Sequence, residues 1–322
     1  MNKVDITDQI AVIVLDTTIW SGRRKLRPED ILIGAGGNLP PEDVASLGSK
    51  KICDPEELNI FTKLDNRMER ACLAVGTRFL KGYAVPIGKL DALVANLDAY
   101  VADFNVAKAD FMAKYDTAVE KWISDHPGFE EPLRRAVLPA KVVANKLACG
   151  YTVFRVGHAA SEGAAATLDN QVGGLADQLY REVAQEAEDA FQHLLGHNGS
   201  LSRRSVRPLR RLHDKLEGLS FLDSGMGRLT DAIRTAADRL EHGSGKVAEA
   251  EIMGTLAIVS VLCSVDRMKA VTKGVALVAD YALSPEPTAP EPKAEPVLDD
   301  TPVLGETDQK ITEEPETASF YF

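Results

Sequence analysis

IGKLDALVANLDAYVADFNVAKADFMAKYDTAVEKWISD, residues 87–125, places its apolar side chains in alternating steps of four and three. The series runs Leu90, Val94, Leu97, Val101, Phe104, Lys108, Phe111, Tyr115, Ala118, Trp122, and Lys108 is its one polar member. An average step of about 3.5 residues keeps a single seam along a helix, as in coiled coils. Pro86 stands at its start and Pro127 just past its end, where prolines begin or stop helices. At 1.5 Å per residue the rod would be roughly 55 Å long. A polar residue in such a seam can fix register at a cost in stability.

A second seam runs through Leu168, Val172, Leu175, Leu179, Val183, Ala187, Ala190 and Leu194, which predicts a helix over 165–195 weakened at Gly173-Gly174. The two long helices could pack antiparallel, or the first could bring two copies of the chain together. Shorter helices are expected over 56–79, 202–217, 223–241 and 246–282, the last one broken, with Asp223 or Ser224 as an N-cap. Strand signals are few. IAVIVLD (10–16) and GYTVFRVG (150–157) are rich in β-branched and aromatic residues and could pair with each other. The fold expected is mainly α: an elongated helical bundle with a coiled-coil-like antiparallel helix pair and a small N-terminal β element.

The chain divides by composition into a helical body, 1–284, and an acidic segment, 285–322. That segment holds seven of the sixteen prolines and carries −8 of the net charge of −11, from ten carboxylates against two lysines, leaving −3 for the body. It cannot bury enough apolar surface to offset its ordering entropy, so disorder is expected. It ends in Phe320, Tyr321 and Phe322, a candidate docking peptide for a protein partner. The longest apolar run, IMGTLAIVSVLC (252–263), is short of the ~18–20 residues a bilayer span needs. No signal-peptide pattern opens the sequence, which predicts a cytoplasmic protein. Cys53, Cys72, Cys149 and Cys263 are scattered without a CxxC pair and read as reduced core thiols.

No catalytic, cofactor or metal template emerges. Gly243–Lys246 resembles part of a phosphate loop, but Leu240 stands where its first glycine belongs and Val247 where Ser or Thr belongs. IGAGGNLPPED (33–43) reads as a turn. His193 and His197 are four apart, two ligands short of a structural zinc site. Two basic clusters remain. In the first, the apolar run of 10–20 stops at Ser21-Gly22 and Arg23, Arg24 and Lys25 follow, with a further cluster at 49–51. In the second, Arg203, Arg204, Arg207, Arg210 and Arg211 recur with Lys215 on a face opposite Val206, Leu209, Leu212 and Leu216, although Pro208 sits badly unless it lies in a first turn. Either cluster could contact an anion or nucleic-acid phosphates, or pair with the protein's own carboxylates.

Four ordered motifs carry a family resemblance: IWSGRRKLRPEDI, NLPPEDVASLGSKKICDPEEL, AVGTRFLKGYAVP and FNVAKADFMAKYDTAVEKWISDHPG. Together they resemble the bacterial family called domain of unknown function 3150, closely over 5–157 and more loosely over the helical remainder, 158–284. The resemblance implies a protein of bacterial chromosomes, phages or mobile elements. It also implies gene neighbours encoding an AAA+ ATPase of the MoxR or cobaltochelatase-subunit type and a von Willebrand A-type protein. It implies no catalytic residues. The expected function is a non-enzymatic helical scaffold or adaptor working with such an ATPase. The alternative is a DNA-binding accessory protein using the arginine-rich faces. The turn-like segments SGRRKL, LGSKK and GTRFLKGYAVP are expected to gather into one basic patch.

Overall fold

The two apolar runs singled out as strands pair with each other. The structure, a computed structural model, describes residues 6–27, 30, 48–157, 161–195, 206–242, 247 and 249–275. Its strands are β1 (Ile10–Thr18), β2 (Arg23–Lys25), β3 (Ser49–Lys51), β4 (Thr77–Phe79), β5 (Gly82–Pro86) and β6 (Ala148–Phe154). Four form an antiparallel sheet in the order β4-β5-β1-β6, with Val12 opposite Phe154 and Val12 opposite Ala84. β2 and β3 form a separate ribbon. The helices are α1 (Asn59–Val75), α2 (Ile87–Ser124), α3 (Glu130–Arg134), α4 (Ala140–Ala144), α5 (Glu162–Gly173), α6 (Leu175–Leu195), α7 (Val206–Gly218), α8 (Met226–His242), α9 (Glu249–Leu262) and α10 (Val265–Thr272). The protein is mainly helical, with a small antiparallel sheet near its N-terminus.

Helices pack on both faces of the sheet. Side chains alternate across a strand. Ile13, Tyr83 and Val85 pack with Met68 and Cys72 of α1 and Leu93 and Leu97 of α2. Ile10, Val12, Phe79 and Ala84 pack on the other face with Val172 of α5 and Leu175 of α6. Burial on both faces explains why the run from Ile10 to Ile13 is continuously apolar and fully buried.

α2 is one unbroken helix of 38 residues, roughly 57 Å long. Its antiparallel partner is α1, in place of the expected 165–195 helix. Phe61 near the start of α1 meets Phe104 and Phe111, with ring centroids 4.9 and 5.9 Å apart. Met68 and Cys72, further along α1, meet Leu97 and Leu93. α6 buries its seam instead with α7, α8, α9 and α10, around Leu179, Val183, Leu209, Ile233 and Leu262. The expected 165–195 helix is divided at Gly174 into α5 and α6.

The seam of α2 holds at Leu97, Phe104, Phe111 and Tyr115 but drifts by one residue at either end, to Leu93, Val119 and Ile123. A strict heptad persists only where a partner of equal length imposes supercoiling, since a straight helix advances 3.6 residues per turn. α1 has 17 residues. Beyond it, Trp20, Leu133, Val143 and Leu147 cover the seam. Lys108 is accommodated because its ammonium donates to the Leu147 carbonyl at 2.7 Å.

The expected 56–79 helix stops at Val75, and GTRFLKGYAVP forms the β4–β5 hairpin. Leu80 and Lys81 make its two-residue turn, with φ of 47° and 63°. Pro208 is tolerated because α7 starts at Val206, which puts the proline in the first turn. The 246–282 stretch is broken at Ser264, whose side chain caps α10 by accepting from the Arg267 N–H.

Candidate functional site

The chain leaves β1 through Ile19 and Trp20, and Trp20 is buried against Phe111 and Tyr115 of α2. Gly22 follows with φ of 65°, a left-handed turn closed tightly enough that a Cβ would meet Leu58 at 3.0 Å. The Ile52 N–H donates to the Gly22 carbonyl at 2.8 Å and the Leu26 N–H to Gly48 at 3.1 Å. These two bonds close the β2–β3 ribbon at either end, and at the Gly22 end it adjoins the buried residues Trp20, Ile52 and Cys53.

That ribbon sets cation against cation. Arg23 lies opposite Lys51 and Arg24 opposite Lys50. Residues directly opposite share a face, and like charges there repel. The Lys50 ammonium is compensated: it is 2.6 Å from Asp30 and donates to the Pro132 carbonyl at 2.9 Å. This bond holds the Asp30 carboxyl below the usual carboxylate range. Arg23 and Lys51 are both exposed, and among the described residues neither has a carboxylate partner.

Beside the ribbon is a cavity of about 320 Å³ lined by Leu26, Lys50, Lys51, Trp122, Phe129 and Pro132, among others. Trp122 and His126 come from the end of α2 and the turn after it, with ring centroids 4.2 Å apart. Trp122 Nε1 donates to the Lys51 carbonyl at 3.3 Å, tying α2 to the ribbon. His126 Nδ1 lies 2.7 Å from the Trp122 carbonyl, so Nδ1 carries the proton. Phe129 is 61% exposed, unusual for a ring at the mouth of a cavity unless something covers it. Pockets of this size, apolar with a few charged groups, are the usual form of ligand sites.

The sequence clusters meet in part. Arg23, Arg24 and Lys25 do join Lys50 and Lys51. The GTRFLKGYAVP segment does not; it belongs to the other sheet, where Arg78 pairs with Glu69 at 2.6 Å. The arginine face on α7 has the expected buried side, Val206, Leu209, Leu212 and Leu216. Its cations are largely taken by the protein itself. Arg210 bonds Asp238 and Glu241 of α8, and Arg211 bonds Glu186 of α6. Lys215 is buried and pairs with Glu182 at 3.1 Å. Arg207 is exposed. Arg203, Arg204, His197, Gly243–Lys246, residues 33–43, and the segment 285–322 with Phe320, Tyr321 and Phe322, lie outside the described residues, as does the His193 side chain.

The cysteines are unpaired. Burial pushes the thiols of Cys53 and Cys263 up to about 11 and that of Cys72 to about 12. Such thiols stay protonated at neutral pH and are poor nucleophiles. Burial likewise raises Tyr115 to about 12, while its hydroxyl donates to the Leu138 carbonyl at 2.8 Å. Among the described residues no helix is long and apolar enough to cross a membrane.

The fold is thus a helical body around a sheet whose β1 and β5 are largely buried, presenting a cationic ribbon beside an aromatic cavity. The chain belongs to the family described as protein of unknown function (DUF3150), whose model matches residues 7–264. No curated protein and no solved structure matches it.

Proposed function

We propose that the protein is a non-enzymatic helical scaffold or adaptor that docks a protein partner. In this reading the partner is the AAA+ ATPase of MoxR or cobaltochelatase-subunit type that the family resemblance implies, with a von Willebrand A-type protein as a further component. The observation that carries it is the division of labour between the two basic clusters. The arginine face, the main support for nucleic-acid binding, has Arg210, Arg211 and Lys215 held by carboxylates of the same chain. On the ribbon, Arg23, Arg24 and Lys51 are exposed, while Lys50 is held by Asp30. α1 and α2 serve as a coiled-coil-like antiparallel strut behind that surface. The acidic, proline-rich segment 285–322 provides a second docking element through Phe320, Tyr321 and Phe322.

Co-purification of the full chain with the neighbouring ATPase, with and without ATP, tests the proposal. A complex at micromolar concentration is expected; its absence in both conditions removes the ATPase as partner. The DNA reading keeps as support the cation-rich ribbon and, on the arginine face, the exposed Arg207. Phosphate-driven binding must fall steeply with salt, so a gel shift at low salt that shows no complex ends that reading.

A further inference from the structure

We propose that two copies of this chain pair edge to edge through β6, joining their four-stranded sheets into one. The proposal goes beyond the adaptor reading and does not depend on the ATPase. The two edges of the sheet differ. β4 has three residues, and its Arg78 N–H is taken by Glu182. β6 has seven, in the uncharged and proline-free sequence ACGYTVF, and no bulge interrupts its register with β1. Among the described residues β6 pairs with β1 alone, and its outer edge makes no other backbone hydrogen bond. Proteins blunt exposed edges with charge, proline, bulges or shortness, and an unblunted edge is a template for another strand. Val153 and Phe154 point to the same event. They are 37% and 41% exposed and, as neighbours in a strand, lie on opposite faces of the sheet. A helix laid on one face would cover one of them; a strand added at the edge shields both.

Self-complementarity selects a second copy over an unrelated strand. An antiparallel pair with Thr152 opposite itself on a twofold axis sets Tyr151 opposite the other copy's Val153, and Gly150 opposite its Phe154. The threonine pair and the aromatic–β-branched pair are both favourable across strands. A ring over a strand glycine is the arrangement that rescues such a glycine. Gly150 has the room, since a Cβ there would meet no atom within 4 Å. No charge between Ala148 and Phe154 is set against its like, and Arg155, just beyond, falls opposite the other copy's Cys149. The exposed Asp16 of β1 lies across from Gly150. Its two copies would be three strand spacings apart, at least about 14 Å, beyond the screening length of physiological salt. The long helix α2 offers no competing seam, because α1, Trp20, Leu133, Val143 and Leu147 already cover it.

The test is the oligomeric state of the full chain, by sedimentation velocity at micromolar concentration, where a dimer is expected. Thr152 is exposed. Thr152→Lys and Thr152→Glu each set like charges face to face on the axis and should each weaken the dimer about tenfold or more. Mixed in equal amounts, the two variants should associate again, which misfolded chains would not do. Thr152→Cys under mild oxidation should give a disulfide-linked dimer, since directly opposed residues lie about 4.5–5.5 Å apart, within disulfide range. Gly150→Cys should not, being about 14 Å from its own counterpart. A monomeric wild-type chain, a dimer that ignores both charges, charged variants that fail to associate when mixed, or linkage through Gly150→Cys in place of Thr152→Cys overturns the proposal. An ATPase complex formed by a chain that stays monomeric would keep the adaptor reading and remove the dimer, whereas a dimer with no ATPase complex would do the reverse.

Discussion

Leu80 and Lys81 occupy left-handed backbone, where side chains with a Cβ are disfavoured by about 1–2 kcal/mol each. Two-residue hairpins of this kind favour Asn-Gly. Leu80→Asn with Lys81→Gly is therefore expected to stabilise the protein by about 1–2 kcal/mol, read as a raised melting temperature. The segment reads as turn-like from Gly76 and Gly82, but the two-residue hairpin was not legible, because Leu80 and Lys81 are not the usual turn residues. Aromatic seam positions are the opposite case. Phe104 and Phe111 are 0% and 2% exposed, and their spacing alone marks them as core. Each Phe→Ala substitution should cost about 3–5 kcal/mol in chemical denaturation; a loss under about 1 kcal/mol would contradict the burial. Asp30 shows how a polar residue is used. Its folded value is depressed, so its contribution is present above the ordinary ~3.9 and is lost as pH falls through the lower folded value. Carboxyl NMR should find Asp30 titrating below a free aspartate, and Lys50→Met should return it toward ~3.9.

At the scale of elements, tertiary pairing decides what periodicity leaves open. The α7 stripe of Val206, Leu209, Leu212 and Leu216 was legible because one-sided burial writes itself at steps of three and four. Which helix covers α2 was not, because two apolar seams of similar spacing compete as partners. A cavity assembled from the end of α2, a following turn and a ribbon has no sequence period at all. Buried charge at a junction is also invisible in one dimension. Glu182 of α6 accepts from Lys215 of α7 and from the Arg78 N–H of edge strand β4, the latter at 2.8 Å. It thereby joins two helices and satisfies a sheet-edge donor that would otherwise be unpaired. Removing one member of a buried pair strands the other, so Lys215→Met should cost about 3–5 kcal/mol. Combining it with Glu182→Gln, which can still accept from Arg78, should recover part of that loss, since no uncompensated charge remains. A thermodynamic cycle with no recovery would mean that Lys215 matters through packing alone.

Across the whole molecule, the sheet is the part through which the other cores communicate. Neighbouring residues of β1, Val12 and Ile13, belong to the cores on its two faces. Cys149 touches both the α1–α2 core and the aromatic core around Phe104. Phe221 and Leu222 touch both the α5-side core and the bundle of α6 to α10. At the approach of α10 to the start of α8, a Cβ on Gly225 would lie 2.1 Å from the Thr272 carbonyl, so Gly225→Ala would force that contact apart. A chain of this size often unfolds in stages. Here shared residues link each core to the next, which favours a cooperative loss of all four. The two tryptophans allow a direct test, because Trp20 and Trp122 both belong to the aromatic core, while far-UV ellipticity reports helices throughout the chain. Denaturant curves from fluorescence and ellipticity are expected to coincide, the usual sign of a single transition. Ile13→Ala, which removes a fully buried side chain from the central strand, should shift both curves together by about 2–5 kcal/mol. If ellipticity instead persists after the tryptophans have become exposed, the α6–α10 bundle is a separate folding unit, and the links through Phe221, Leu222 and Glu182 are too weak to bind it to the sheet.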